Sequence, residues 1–291
     1  MGDKIDTEGY TYDKDNQGIF TKTKSKVSEF FFHLMQYGGF NYENGVIYLW
    51  LNPTAFISVS SFALLQKECE KEFGSDFNDF LYWLGKLTGK NSTLTLAKRY
   101  GFKIDDLPSF LNGATQDGFG FMTIQKVDLK SNPKNGLITG TNNFFAQSII
   151  KKYNKQKNPS DYYVCGILAG GTEPLFNFPI KGTEKKCISC GDKECIYVLE
   201  EISSPEKSLL LKKAGLNEDK ILTNSLKLYS QRKGSFKIYK KNVSFGDGSF
   251  VFNGKRGVII EMYALVILDY VMYKLYGDRY RDIVDKFAKE N

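Results

Sequence analysis

Histidine is nearly absent from this chain, since His33 is the single one among 291 residues. It stands beside a cluster of phenylalanines, where a lone histidine is more typical of a core or surface position than of a catalytic base. The sequence has no Walker-type phosphate loop, and its Gly118-Phe119-Gly120 segment lacks the third glycine of a dinucleotide-binding turn. These absences argue against nucleotide-dependent enzymes and against histidine-based catalysis.

Long apolar segments and a secretion signal are missing as well. The longest apolar stretch, residues 258–275, is interrupted by Glu261 and Asp269, and each would cost about 2.5–3.5 kcal/mol near a bilayer centre. We interpret this stretch as a buried helix. The polar, charged start does not resemble a signal peptide, and five cysteines are too few for a disulfide-stapled secreted scaffold. We therefore expect a cytoplasmic protein without membrane insertion.

What is present is typical of a globular protein with an aromatic core. Hydrophobic residues make up 42% of the chain and aromatic residues 15%, and the length allows one large domain or two modest ones. The net charge of +7 is uneven, because residues 201–291 hold 17 Lys and Arg against 11 Asp and Glu. A basic surface is therefore expected in the C-terminal third.

The composition and the hydrophobic patterns along the chain divide it into three predicted segments. Residues 1–20 are polar and lack periodicity, which predicts a tail. Residues 21–202 mix strand and helix patterns, including a strand that Pro53 ends and a helix that starts at Thr54. The Ser203-Ser204-Pro205 break predicts a boundary, after which residues 203–291 form a basic α+β extension.

The cysteines provide the most specific chemical signal. Four of the five fall within 31 residues, namely Cys165, Cys187, Cys190 and Cys195. A Cys-x-x-Cys turn followed by a hairpin, here bent at Gly191-Asp192, brings sulfur atoms to one tetrahedral point, as a structural zinc requires. Buried reduced thiols or a disulfide are the alternatives, and Cys69 is expected to be an ordinary core residue.

Residues 162–198 resemble the signature end of the 4-vinyl reductase domain family. The residues that match its motif are Cys165, Glu184, Cys187, Gly191, Asp192 and Cys195. The resemblance spans about residues 20–202. It implies an α+β fold in which an antiparallel sheet is packed with helices, related to subunits of vesicle-tethering complexes and often dimeric, so a homodimer is expected.

In members that sense aromatic compounds, the resemblance implies a zinc held by three Cys and one Glu, which here would be Cys165, Glu184, Cys187 and Cys195. Cys190 departs from that pattern and competes with Glu184 as a ligand, because zinc prefers thiolates in structural sites. A metal with four protein ligands has no open position, which favours a structural role over catalysis.

The first hypothesis is therefore a zinc-stabilised sensor or regulatory protein that encloses a small apolar or aromatic ligand. The candidate pocket residues are Phe77, Tyr82, Trp83, Phe110, Phe119 and Phe121, although the same residues fit an ordinary core. Relatives that sense phenol use a histidine to hold the ligand hydroxyl, and no histidine of this chain matches it.

Two other functions stay open. A nucleic-acid-associated regulator would use the basic residues Arg232, Lys233, Lys237, Lys240, Lys241, Lys255 and Arg256, which alternate with aromatic residues. A solvated basic face explains the same pattern. The family name also suggests a reductase acting on a tetrapyrrole, but no flavin, nicotinamide or iron–sulfur signature is legible in the sequence.

Overall fold

The chain folds into two antiparallel sheets with helices packed against them, as the sequence predicts for its fold class. The structure is a computed structural model that describes residues 11–15, 40–43, 46–49, 52–108, 111, 118–221, 243–246, 249–252 and 254–289. Within these residues runs of antiparallel strands are separated by helices, which is an α+β arrangement. His33 and Phe110 lie outside the described residues.

The first sheet has the strand order β1-β5-β6-β8-β7, and every neighbouring pair is antiparallel. Its strands are β1 (Thr11–Asp13), β5 (Phe121–Asp128), β6 (Asn135–Thr141), β7 (Ile180–Lys186) and β8 (Cys195–Glu201). Strands β5 and β6 form a hairpin in which Phe121 pairs with Thr141. The predicted tight hairpin around Gly191 is confirmed as β7 and β8.

The second sheet has the order β2-β3-β4-β11-β10-β9 and is also antiparallel throughout. Its strands are β2 (Phe40–Glu43), β3 (Val46–Leu49), β4 (Asn52–Ser58), β9 (Val243–Gly246), β10 (Ser249–Phe252) and β11 (Lys255–Glu261). Here the prediction that Pro53 ends a strand and that a helix starts at Thr54 is wrong. Pro53 lies inside β4 opposite Tyr48, and pairing with β11 begins only at the next residue, Thr54, so the missing proline N–H is not needed on the β11 side.

Seven α-helices are present among the described residues. They are α1 (Val59–Phe73), α2 (Ser75–Tyr100), α3 (Phe144–Tyr153), α4 (Tyr162–Phe176), α5 (Leu209–Ala214), α6 (Met262–Tyr276) and α7 (Asp278–Lys289). Ser58 caps α1, because its hydroxyl accepts a hydrogen bond from the Ser61 backbone N–H at 3.1 Å. The helix therefore starts at Val59, five residues after the predicted position.

The closest helix pair is α2 against α4. Gly85 and Gly89 on α2 face Gly166 and Gly170 on α4, and a Cβ built at any of the four would overlap a backbone atom of the other helix. The glycines therefore allow the two helix backbones to pack closely. This contact fixes α4 at its N-terminal end, where Asp161 and Cys165 lie.

A buried ion pair ties the same two helices together. The Lys86 ammonium lies 2.8 Å from Glu173 Oε1, and both side chains are less than a tenth exposed. Glu173 also accepts the Ile180 backbone N–H at 3.0 Å, which links α2 and α4 to the first residue of β7.

Residues 203–291 share a sheet with the rest of the chain, since β11 pairs with β4 from Gly257↔Ser58 to Glu261↔Thr54. The domain limits 1–20, 21–202 and 203–291 stay predictions. The stretch 258–275, interpreted from the sequence as one buried helix, instead divides between β11 and α6. The division falls at Glu261, where Ser92 donates to the carboxylate at 2.6 Å.

Helix α6 keeps one apolar face towards solvent, formed by Met262, Val266, Tyr270 and Tyr273. No helix among the described residues is both long and apolar enough to cross a membrane. The homodimer and the cytoplasmic location stay predictions.

Candidate metal centre

The candidate centre is built by the connection between β7 and β8. A short 3-10 turn (Ile188–Cys190) follows Cys187, and Gly191 then adopts a left-handed conformation with φ +88°. Asp192 closes the turn, because its carboxylate accepts the Cys187 backbone N–H at 2.9 Å. The chain therefore reverses within eight residues and returns Cys195 to Cys187.

Three potential metal-ligating atoms meet at this turn. One carboxylate oxygen of Glu184 and the sulfurs of Cys187 and Cys195 all lie within 4.8 Å of one another. Cys187 and Cys195 are fully buried. Among the described residues this is the one such group of three or more His, Cys, Asp or Glu side chains.

The other two predicted ligands lie outside this group. Cys165 is buried in α4 and packs against Gly182 of β7, two residues before Glu184. Cys190 is partly exposed and lies near Cys187. Its pKa is raised mainly by its partial burial and secondly by the negative charge of Cys187. Their roles as ligands stay predictions.

The pKa values of the clustered groups are shifted in opposite directions. Hydrogen bonding from Cys195 lowers the pKa of the Cys187 thiol to about 4, and the Ser189 hydroxyl lies 3.0 Å from its sulfur. Burial, followed by the charges of Asp161 and Cys187, raises the pKa of Glu184 well above its usual range. The surroundings therefore favour the deprotonated form of Cys187 over that of its neighbours.

The donor set fits a zinc-like ion. Tetrahedral zinc with bonds of about 2.0–2.3 Å places its ligand atoms about 3.5–3.8 Å apart, so the observed spacing needs only small side-chain movements. Oε1 of Glu184 is buried and has no hydrogen-bond partner, whereas Oε2 accepts the Asp161 backbone N–H at 3.0 Å. An unpaired buried carboxylate oxygen is costly without a cation or a proton.

A shell of buried polar side chains surrounds the cluster, and the sequence did not indicate it as part of a site. Tyr197 donates to Asp161 Oδ2 at 2.5 Å, and Asn143 donates to Tyr197 at 3.1 Å and to the Cys195 sulfur at 3.6 Å. Burial raises the pKa of Asp161 to about 7. Two features of the sequence could have indicated these residues. Tyr197 lies two residues after Cys195 and so on the same strand face, and Asp161 lies one helical turn before Cys165.

A cavity of about 300 Å³ lies beside the centre. The residues that line it come from α2, the start of α4, β7 and the segment before α5, and they are Asp79, Tyr82, Pro159, Asp161, Tyr162, Cys165, Lys181, Gly182, Thr183, Glu184 and Glu206. The Tyr82 hydroxyl accepts the Gly182 backbone N–H at 2.8 Å and donates to Glu206 at 3.0 Å. Glu184 therefore belongs both to the cluster and to the cavity wall.

The structure places the predicted pocket residues in different surroundings, and their role in ligand binding stays a prediction. Tyr82 lines this cavity, whereas Phe77, Trp83 and Phe119 are buried in the hydrophobic core. Phe119, for example, packs with its ring centroid 5.6 Å from that of Tyr163. Phe121 is partly buried at the start of β5 and is not among the residues that line the cavity.

The predicted nucleic-acid residues mostly fall outside the described part of the chain, which leaves out Arg232, Lys233, Lys237, Lys240 and Lys241. Lys255 lies at the start of β11. The Arg256 guanidinium lies 3.8 Å from the centroid of the Phe144 ring and stacks on it. The nucleic-acid function and the tetrapyrrole reductase function stay predictions.

Comparisons with known proteins identify solved structures with a similar fold. No protein-family model and no curated protein matches the sequence. Among solved structures, the chain is similar to the phenol-responsive sensory domain of the transcription activator PoxR with phenol, at a TM-score of 0.53 and 16% identity over 69% of this chain and 96% of that one. At this identity the similarity shows the fold alone.

Two further structures match at lower TM-scores. A vinyl-4-reductase family protein from Methanocaldococcus jannaschii has a TM-score of 0.30 and 24% identity over 42% of this chain and 68% of that one. A trafficking protein particle complex subunit 3 from Naegleria fowleri, covalently bound to palmitic acid, has a TM-score of 0.35 and 14% identity over 51% and 98%. Neither carries an argument at these TM-scores. The chain thus shares the fold of a sensory domain, and its membership of the 4-vinyl reductase family stays a prediction.

Proposed function

We propose that this protein is a zinc-stabilised ligand-binding protein of the sensor or regulatory type. The observation that carries the proposal is the group formed by Glu184 and the buried Cys187 and Cys195, of which Glu184 also lines a cavity. A metal at this point would fasten the turn between β7 and β8 and would satisfy the unpaired Glu184 oxygen. A tetrahedral ion held by four protein ligands has a structural role, so the metal would stabilise the cavity wall.

Cys165 is our proposed fourth ligand. Burial raises its pKa well above the usual value, the charge of Glu184 raises it further, and the Glu184 backbone N–H acts in the opposite sense. The thiol therefore lies in the electrostatic environment of the cluster, on the helix that the glycine contact holds in place. Its ligation would join α4 to the turn.

The proposed ligand is a small, largely apolar aromatic molecule bound in the cavity. A volume of about 300 Å³ is at the lower end of the range of small-molecule sites. Tyr82 and Tyr162 offer ring surfaces in its wall, and Thr183 offers a hydroxyl. The phenol-responsive domain with the same fold supports an aromatic ligand, although the phenol-holding histidine of such relatives has no match in this chain.

A cavity-filling variant tests this proposal. Thr183→Trp puts a large side chain into the cavity wall from β7, and Lys126→Trp puts the same side chain on an exposed position of β5 in the same sheet. Phenol, toluene and decanoic acid serve as probes in thermal shift and calorimetry. We expect phenol or toluene to stabilise the wild type and the Lys126→Trp variant, by about 2.7 kcal/mol at 100 times Kd, and to lose this effect in Thr183→Trp. Equal stabilisation of all three proteins, or of none, would contradict a ligand in this cavity.

A further inference from the structure

Asn143 connects the start of helix α3 to the candidate metal centre. Its Oδ1 accepts the Ala146 backbone N–H at 3.0 Å and so caps the helix. Because this bond identifies the oxygen, the other end of the amide must be the NH₂ group. That group faces the Cys195 sulfur at 3.6 Å, the Tyr197 hydroxyl at 3.1 Å and the Asp161 carboxylate.

The contacts of Asn143 reach two of the three clustered ligands. It donates directly towards Cys195, whose sulfur also accepts the Ile188 backbone N–H at 3.5 Å. It also holds Asp161, whose own backbone N–H donates to Glu184 Oε2 at 3.0 Å. Asn143 thus touches the sulfur on β8 and, through one further residue, the carboxylate on β7.

Burial makes these contacts hard to replace. Asn143, Asp161, Cys195 and Tyr197 all have no exposed surface, so bulk water does not readily replace a hydrogen bond that is lost there. N–H groups that point at a thiolate stabilise its negative charge and reduce the electron density that it donates to a metal. In a dry site this effect is larger than in water.

We propose that Asn143 is a positioning residue of the metal centre, which orients the Cys195 sulfur and, through Asp161, the Glu184 carboxylate, and which tunes sulfur donation to the metal. This inference rests on the metal site proposed above. Helix capping alone does not account for the arrangement, because a cap needs only the Oδ1 acceptor, whereas the NH₂ group points away from the helix and into the cluster.

Cobalt substitution tests the proposal in the full-length chain. Asn143→Ser and Asn143→Asp both keep an oxygen that can cap α3 but lose the amide donor. We expect each to lower cobalt affinity about 10–100-fold, the usual effect of losing an outer hydrogen bond at a metal site, and to move the sulfur-to-cobalt charge-transfer band to lower energy. Ser208→Ala, which removes the cap of α5, is the control and is expected to leave both cobalt affinity and the band unchanged.

The outcomes separate this inference from the metal proposal. A wild type that takes up cobalt while both Asn143 variants keep its affinity and its band would overturn the role of Asn143 alone. A wild type that takes up no cobalt would overturn the metal site, and this role with it. If neither variant folds, cadmium-113 NMR of the wild type decides, because a bond from Asn143 Nδ2–H to a metal-bound sulfur gives a scalar coupling between that proton and cadmium. Absence of the coupling would overturn the proposal.

Discussion

Single residues of the cluster hold protons that a metal ion would displace. The pKa of Cys187 is lowered, whereas the pKa values of Glu184, Cys195 and Cys165 are all raised, chiefly by burial for Glu184 and Cys165 and by the hydrogen bond to Cys187 for Cys195. A metal binds the deprotonated forms, so binding must release protons, and affinity must rise with pH. Without metal, the Glu184 oxygen stays buried and unpaired, which destabilises the fold, whereas a bound metal would satisfy it.

Serine variants of Cys165 and Cys190 decide which thiol completes the site. We expect Cys165→Ser to lower zinc affinity by at least about 100-fold, because serine is a poor zinc ligand. Cys190→Ser should change it less than about threefold, because Cys190 is partly exposed, whereas Cys165 is buried against β7. Competition with a chromophoric chelator measures both constants. The reverse ranking would make Cys190 the fourth ligand.

Lys86 gives a second prediction for a single residue. Its ammonium lies 2.8 Å from Glu173 in a buried position, so Lys86→Met should lower the free energy of unfolding by about 3–5 kcal/mol. The buried carboxylate then keeps only the more distant ammonium of the partly exposed Lys90, at 3.6 Å. The double variant Lys86→Met/Glu173→Gln should recover part of this loss, since glutamine can still accept the Ile180 N–H. Urea denaturation measures both, and a double variant less stable than Lys86→Met would contradict the pairing.

At the scale of elements, the contact between α2 and α4 fixes the position of the site. Gly170→Ala would drive a Cβ into the backbone of Lys86 on α2, whereas a Cβ at the next residue, Gly171, would meet Thr93 Oγ1 at 3.4 Å, an ordinary contact. We expect Gly170→Ala to cost about 3 kcal/mol or more, because two helix backbones must separate. Gly171→Ala should be neutral or gain up to about 1 kcal/mol from its helix propensity. Thermal denaturation of the pair checks this, and equal stabilities would exclude the close approach.

The sequence predicts best those elements whose contacts join residues that are close together in the chain. The β7–β8 hairpin follows from Cys187, Gly191 and Cys195 lying within one turn. Strand β4 was missed, and its residues from Thr54 were assigned to a helix, because its partner β11 comes far later in the chain and leaves no local signal. The buried contacts of Asn143 were missed for the same reason, since Asp161 and Tyr197 reach it only after folding.

At the scale of the whole molecule, the second sheet joins distant parts of the chain. Strand β4 has β3 on one side and β11 on the other, so a fragment of residues 1–202 would expose its apolar edge. We expect this fragment to aggregate or to lose amide protection in β4, because an unpaired edge strand invites association. Size-exclusion chromatography and hydrogen exchange measure this. A monomeric fragment with full protection of β4 would instead support an independent domain for residues 21–202.

The metal content of the natively purified protein, measured together with its reactive thiols, tests the central claim most directly. The account predicts about one zinc per chain, a lower melting temperature after chelation, and protection of Cys187 and Cys195 from thiol reagents until the metal is removed. A metal-free protein whose melting temperature is unchanged by chelator and by added zinc would contradict it.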